Sequence, residues 1–70
     1  MPVSSAVQAR VEAIRRLLES ESRPLSITEL MQRLGESHSK VYYAVRAGVK
    51  SGIFKTFKRG RRLYVALQTW

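Results

Sequence analysis

The chain of 70 residues has no cysteine. Disulfides, thiolate metal sites and a cysteine nucleophile are therefore excluded together. Its only histidine is His38, so a metal site built on imidazoles has no second ligand. Long apolar runs are also missing. The longest include Val41 to Val45 and Leu63 to Leu67, far short of the ~20 residues that a membrane span needs. The stretch Met1 to Arg10 lacks the apolar centre of a signal peptide. These absences lead to the expectation of a soluble cytoplasmic chain with no membrane partner, no metal and no cofactor.

The most informative absence is of acid. Residues 1–36 carry five cations (Arg10, Arg15, Arg16, Arg23, Arg33) and all five acids (Glu12, Glu19, Glu21, Glu29, Glu36), which cancel. Residues 37–70 carry Lys40, Arg46, Lys50, Lys55, Lys58, Arg59, Arg61 and Arg62 and no acid, so the whole net charge of +8 lies in that half. Concentrating like charge in one small domain costs self-repulsion, which a polyanionic partner relieves. The same absence argues against catalysis. With one histidine, no cysteine and every acid outside the basic half, no acid-base pair or activated nucleophile can be assembled there. The chain is expected not to be an enzyme.

What is present is a single compact unit with 44% hydrophobic residues. A chain this short buries only about 60% of its unfolded surface, so its core has to be economical. Ser4 or Ser5 is placed to cap a first helix over residues 4–20, with Val7, Val11, Ile14, Leu17 and Leu18 as its apolar stripe. Pro24 ends that stretch. Ser26 and Glu29 have the spacing of a capping box, and Leu25 and Leu30 flank it as a hydrophobic staple. A second helix over 27–34 follows, with Ile27, Leu30, Met31 and Leu34 on one face and Gly35 at its end. Only Gly35 and Glu36 precede Ser37, the expected cap of a third helix over 38–50. So short a link makes the two helices cross steeply, as in a helix-turn-helix.

In the third helix Val41, Ala44, Val45, Gly48 and Val49 share one face. Ser39, Tyr43, Arg46 and Lys50 line the other, with Lys40 and Ala47 beside them. After Gly52 the apolar period changes to 2, the signature of strands. A hairpin over about 53–68 with a three-residue loop, Lys58-Arg59-Gly60, places Ile53, Phe57, Leu63, Val65 and Leu67 on one face, with Lys55 the only misfit there. The opposite face then holds Phe54, Thr56, Lys58, Arg62, Tyr64 and Ala66. The segment Gly48-Val49-Lys50-Ser51 echoes a phosphate loop, but it lacks the upstream glycine and a leading strand.

Three helices followed by a basic hairpin define an α+β class. The segments Ser39-Lys40-Val41-Tyr42-Tyr43-Ala44-Val45 and Val49-Lys50-Ser51-Gly52-Ile53-Phe54 resemble the recognition helix and wing start of bacterial and phage winged helix-turn-helix regulators. The resemblance spans residues 4–68. Gly48 departs from it, standing where a leucine is usual, which either permits close packing or weakens the helix. The resemblance implies sequence-specific binding of double-stranded DNA, with the third helix in the major groove and the wing on an adjacent groove or phosphates.

The expected contacts are Ser37, His38, Ser39, Lys40, Tyr42, Tyr43, Arg46 and Lys50 on the recognition helix, and Lys55, Lys58, Arg59, Arg61 and Arg62 on the wing. Arg46 suits either a guanine edge or a phosphate. Tyr42 has two readings, packing against the second helix or donating its hydroxyl to a phosphate. His38 reads as a first-turn phosphate contact or as simply exposed. The leading expectation is a small transcriptional regulator, a repressor among the options, associated with the nucleoid and without a visible effector site. The alternatives are an architectural or recombination accessory protein, or a protein- or RNA-binding winged helix of a larger complex. A homodimer is expected on DNA, with Trp70 buried against a neighbour. The competing reading folds Trp70 onto its own first helix beside Val7 and Val11.

Overall fold

A computed structural model describes residues 4–70. Residues 1–3, the start of the stretch weighed as a signal peptide, lie outside the described residues. The elements run α1 (Ser5–Glu21), β1 (Leu25–Ser26), α2 (Ile27–Leu34), α3 (His38–Lys50), β2 (Phe54–Arg59) and β3 (Arg62–Leu67). The strands form one antiparallel sheet in the order β1-β3-β2. Three helices packed on a hairpin-containing sheet are the winged helix-turn-helix fold expected from the sequence. No helix among the described residues is long and apolar enough to cross a membrane.

Local chemistry sets the helix ends. The Ser4 hydroxyl accepts the Val7 amide at 3.3 Å and opens α1. Ser22, in a left-handed conformation at φ 56°, closes it. At α2 both halves of the capping box form. The Glu29 amide donates to Ser26 Oγ at 3.1 Å, and the Ser26 amide donates to Glu29 Oε1 at 3.2 Å. Gly35 ends α2, and the amides of Gly35 and Glu36 both return to the Met31 carbonyl. Ser37 opens α3 with extended backbone, but its side chain makes no capping bond.

The core gathers Val11, Ile14 and Leu18 of α1, Leu25 of β1, Ile27 and Leu30 of α2, Val41, Ala44 and Val45 of α3, and Phe54 and Val65 of the hairpin. The α1 stripe thus behaves as its spacing predicts. Val49 does not: it is 38% exposed, on the rim of α3 instead of its buried face.

Two features of the sheet differ from expectation. Leu25 and Ser26 pair with Val65 and Tyr64, so the residues that open α2 also form an edge strand. A strand of two residues has no periodicity to detect. The hairpin register also differs. Arg59 pairs with Arg62 across a two-residue turn, Gly60-Arg61, instead of the three-residue loop. Gly60 has φ +64° and no positive φ occurs at Arg61, the pattern of a turn with glycine in its first central position.

Because side chains alternate faces, the changed register reassigns one strand relative to the other. Phe54 and Leu67, Thr56 and Val65, and Lys58 and Leu63 share the core-facing side. Lys55 and Ala66, Phe57 and Tyr64, and Arg59 and Arg62 share the outer side. The expected three-residue loop turns Phe57 inward and Phe54 outward; the observed register reverses these two, while Leu63, Val65 and Leu67 keep the core side and Tyr64 the outer side.

This register sends Phe54 inward, where it is fully buried. A Cβ built on Gly48 would collide with Cδ2 and Cε2 of the Phe54 ring, and Cγ would lie 3.2 Å away. The glycine therefore serves close packing against the wing. An alanine in an ordinary helix interior is favoured over glycine by roughly 0.5–1 kcal/mol, but overpacking a core costs typically 1–3 kcal/mol. Gly48→Ala is accordingly expected to lower stability by about 1–2 kcal/mol in chemical denaturation. The second substitution in G48A/F54L should recover part of the loss. A single variant as stable as the parent, or more stable, contradicts the contact.

Candidate nucleic-acid interface

The five acids are all engaged by arginines of the first half of the chain. Arg10 bridges Glu36 at 3.3 Å, tying α1 to the turn between α2 and α3. Arg15 pairs with Glu12 and, at 3.0 Å, with Glu19, and Arg16 reaches Glu12 at 3.5 Å. Arg23 bridges Glu21 at 3.4 Å and Glu29 at 3.0 Å, and Arg33 bridges Glu21 at 2.9 Å. Pairs this exposed contribute little stability each. Their consequence is electrostatic: acids and arginines neutralise one another on α1 and α2. Among the described residues, none of Lys40, Arg46, Lys50, Lys55, Lys58, Arg59, Arg61 and Arg62 has an acidic partner.

On α3 the expected residues Ser37, His38, Ser39, Lys40, Tyr42, Tyr43, Arg46 and Lys50 are all exposed. Tyr43 projects furthest among the large apolar side chains, at 65% exposure. Ser39, Tyr43 and Lys50 follow one line along the helix, flanked by Lys40 on one side and Arg46 on the other. The opposite face, Val41, Ala44, Val45 and Gly48, is buried.

The two readings of Tyr42 resolve toward the surface. Its ring stacks on His38, with centroids 5.9 Å apart and planes 9° from parallel. The Arg46 guanidinium lies 5.9 Å from the ring centroid and donates to the hydroxyl at 3.4 Å. His38, Tyr42 and Arg46 thus form a column at successive i, i+4 positions, a geometry that favours side-chain contact. The spacing was visible in the sequence, yet the column was not anticipated. It holds a flexible cation on the outer surface of the helix.

The wing cations do not converge on one face. Lys58 lies on the core-facing side beyond the core and is exposed, while Arg61 occupies the turn. Lys55, Arg59 and Arg62 lie on the outer side, Lys55 half-buried and the arginines exposed. Arg59 and Arg62 are direct cross-strand partners. Like charges so placed destabilise a sheet, a cost that an anion between them removes. Trp70 is 42% exposed, so it is not fully covered by its own fold. Among the described residues no group of three His, Cys, Asp or Glu side chains is arranged to hold a metal ion.

The fold and this surface define a winged helix with a basic helix face and a basic hairpin. No protein-family model matches the chain, and no curated protein sequence matches it. Similar solved structures do exist. One is a HOP2 chain, described in terms of DNA recognition and protein interaction domains and homologous DNA pairing. It is 21% identical with a TM-score of 0.74, over 83% of this chain and 97% of that one. Another is the hypothetical protein PyrSV_gp04 of Pyrobaculum spherical virus, 25% identical with a TM-score of 0.84, over 96% of this chain. The match spans 42% of the viral chain.

The neutralised half carries a pH dependence. Arg15 beside Glu12 holds that carboxyl below its ordinary range, and Arg23 together with the Ser26 amide does the same for Glu29. A depressed carboxyl contributes stability that is present above its unfolded value and is lost as pH falls through its folded value. The thermal midpoint is therefore expected to drop between about pH 5 and about pH 2, as the basic half also loses its compensating acids. A midpoint that is flat or rises on acidification contradicts this assignment.

Proposed function

We propose that this protein binds double-stranded DNA sequence-specifically as a small transcriptional regulator. The α3 surface enters the major groove, and the wing lies on phosphates or an adjacent groove. The observation that carries the reading is the segregation of charge. Every acid is paired within α1, α2 and their turns, while eight cations on α3 and the wing have no acidic partner among the described residues. Ser39, Lys40, Tyr43 and Arg46 are the side chains best placed to meet base edges. Lys50 and the wing cations take phosphates, since sequence-independent affinity comes from phosphate neutralisation. The structural likeness to HOP2, described for DNA recognition, supports DNA as the partner.

The same likeness favours a second reading, an architectural or recombination accessory role, because homologous DNA pairing is what is described for HOP2. In either role the protein acts inside the cell on the nucleoid and without catalysis. As a regulator it pairs on DNA through its exposed Trp70, because one recognition helix covers only a few base pairs.

Binding to random duplexes, followed by selection and a salt titration, tests the proposal. A regulator enriches a defined motif, and a symmetric one if it pairs. An architectural protein binds tightly without enrichment. Affinity should fall by roughly 0.9 log units per log of salt for each neutralised phosphate. Arg59→Ala with Arg61→Ala should weaken binding on all sequences and flatten that slope by at most about two units. Substituting Lys40, Tyr43 or Arg46 should instead change the preferred bases, with roughly 1–3 kcal/mol lost per base contact. An unchanged salt slope together with an unchanged base preference overturns the reading.

A further inference from the structure

The outer face of the hairpin carries a feature that the duplex reading leaves unused. Phe57 and Tyr64 are direct cross-strand partners on the side of the sheet away from the core. Their rings stack, with centroids 5.5 Å apart and planes 10° from parallel. Neither ring belongs to the hydrophobic core or packs against it, and both are half-buried. The pair lies outside the hydrophobic core, and each half-buried ring keeps part of its surface in water, beside the buried Ala66 of the same face.

Charge brackets this pair on the same face. Lys55 stands one alternation toward the body of the protein, and the Arg59–Arg62 pair one alternation toward the tip. Residues two apart along a strand are separated by about 7 Å, so cations flank the rings on both sides at that distance. The strands β2 and β3 contain no acid. Aromatic rings between cations on a β-surface suit a strand of unpaired nucleotides, whose bases stack on the rings while its phosphates meet the cations. Duplex DNA keeps its bases stacked internally and presents nothing for the rings to hold.

We propose that the outer face of the wing binds single-stranded nucleic acid, with an unpaired base stacked on the Phe57–Tyr64 pair and the neighbouring phosphates held by Lys55, Arg59 and Arg62. With α3 facing duplex, this gives the protein a second nucleic-acid surface on the outer side of the hairpin, whose cations the two ligands share. It is equipped to sit where paired and unpaired strands meet.

The test is fluorescence anisotropy of the full chain with an oligothymidylate of about 12 nucleotides, a length within the usual site size of such surfaces, and in parallel with a duplex of random sequence. Base stacking contributes a factor of roughly 5 to 150 in affinity per base. Phe57→Leu with Tyr64→Leu keeps apolar bulk but removes the aromatic faces. It is expected to lose about tenfold or more on oligothymidylate with duplex affinity unchanged. Phe57→Tyr with Tyr64→Phe, which keeps both rings, is expected to bind oligothymidylate like the parent, and thermal midpoints of both variants check the fold. No binding of oligothymidylate by the parent overturns the inference. So does an equal affinity in the leucine variant, or an equal loss on both ligands. Binding of oligothymidylate without binding of duplex leaves this inference standing and removes the duplex reading instead.

Discussion

Phe54 reaches the core because residue 48 has no side chain. The ring lies on the bare backbone of α3 at Gly48, and the Ile53 amide donates to the Gly48 carbonyl at 2.9 Å. The Ser51 amide donates to Ala47 and the Gly52 amide to Val49, so the chain turns from helix to strand within a few residues of this contact. α3 and the wing are thereby fastened to each other at a buried contact. Their relative orientation decides which cations an approaching polyanion meets together, so the candidate interface inherits its geometry from this packing. In a chain that buries so little, a single aromatic at this junction stands in for what a larger domain spreads over many residues.

Around that junction the protein separates two electrostatic tasks. On α1 and α2, arginines and glutamates neutralise one another, and Arg10 with Glu36 carries the pattern across to the turn before α3. On α3 and the wing, the cations, exposed except for the half-buried Lys55, have no acidic partner among the described residues. The cross-strand Arg59–Arg62 pair is costly for folding alone, and the His38–Tyr42–Arg46 column stands on the exposed face of α3. They make sense as a surface organised for an anionic polymer. The proposal of two nucleic-acid surfaces follows from the hairpin register, which turns Arg59, Arg62 and the Phe57–Tyr64 pair to the side opposite Phe54 and Val65.

Much of this was legible in the residues, and unevenly so for physical reasons. Helix ends announce themselves through local chemistry, and the Ser26–Glu29 box and Gly35 terminus form as their spacing predicts. The exposed face of α3 was readable because a buried stripe of Val41, Ala44 and Val45 leaves one arrangement for the remainder. The hairpin was less readable. Its register depends on whether Phe57 or Phe54 turns inward, which is decided by the space at Gly48, a packing contact that no local pattern in β2 or β3 encodes. Nor does a two-residue strand such as Leu25–Ser26 carry a period, since it exists only because β3 offers an edge. The pairing of Tyr42 with His38 and Arg46 was present as spacing but had no weight until the helix face was known to be exposed.

The claim on which the account rests is that the neutralised half of the molecule supports the fold and the basic half meets DNA. Backbone amide shifts of the labelled protein, followed as a duplex is titrated in, test it most directly. The account predicts that perturbed amides cluster in α3 from His38 to Lys50 and in the hairpin from Lys55 to Arg62, with α1 largely unmoved. Shifts concentrated on α1, with α3 and the wing unchanged, would contradict it.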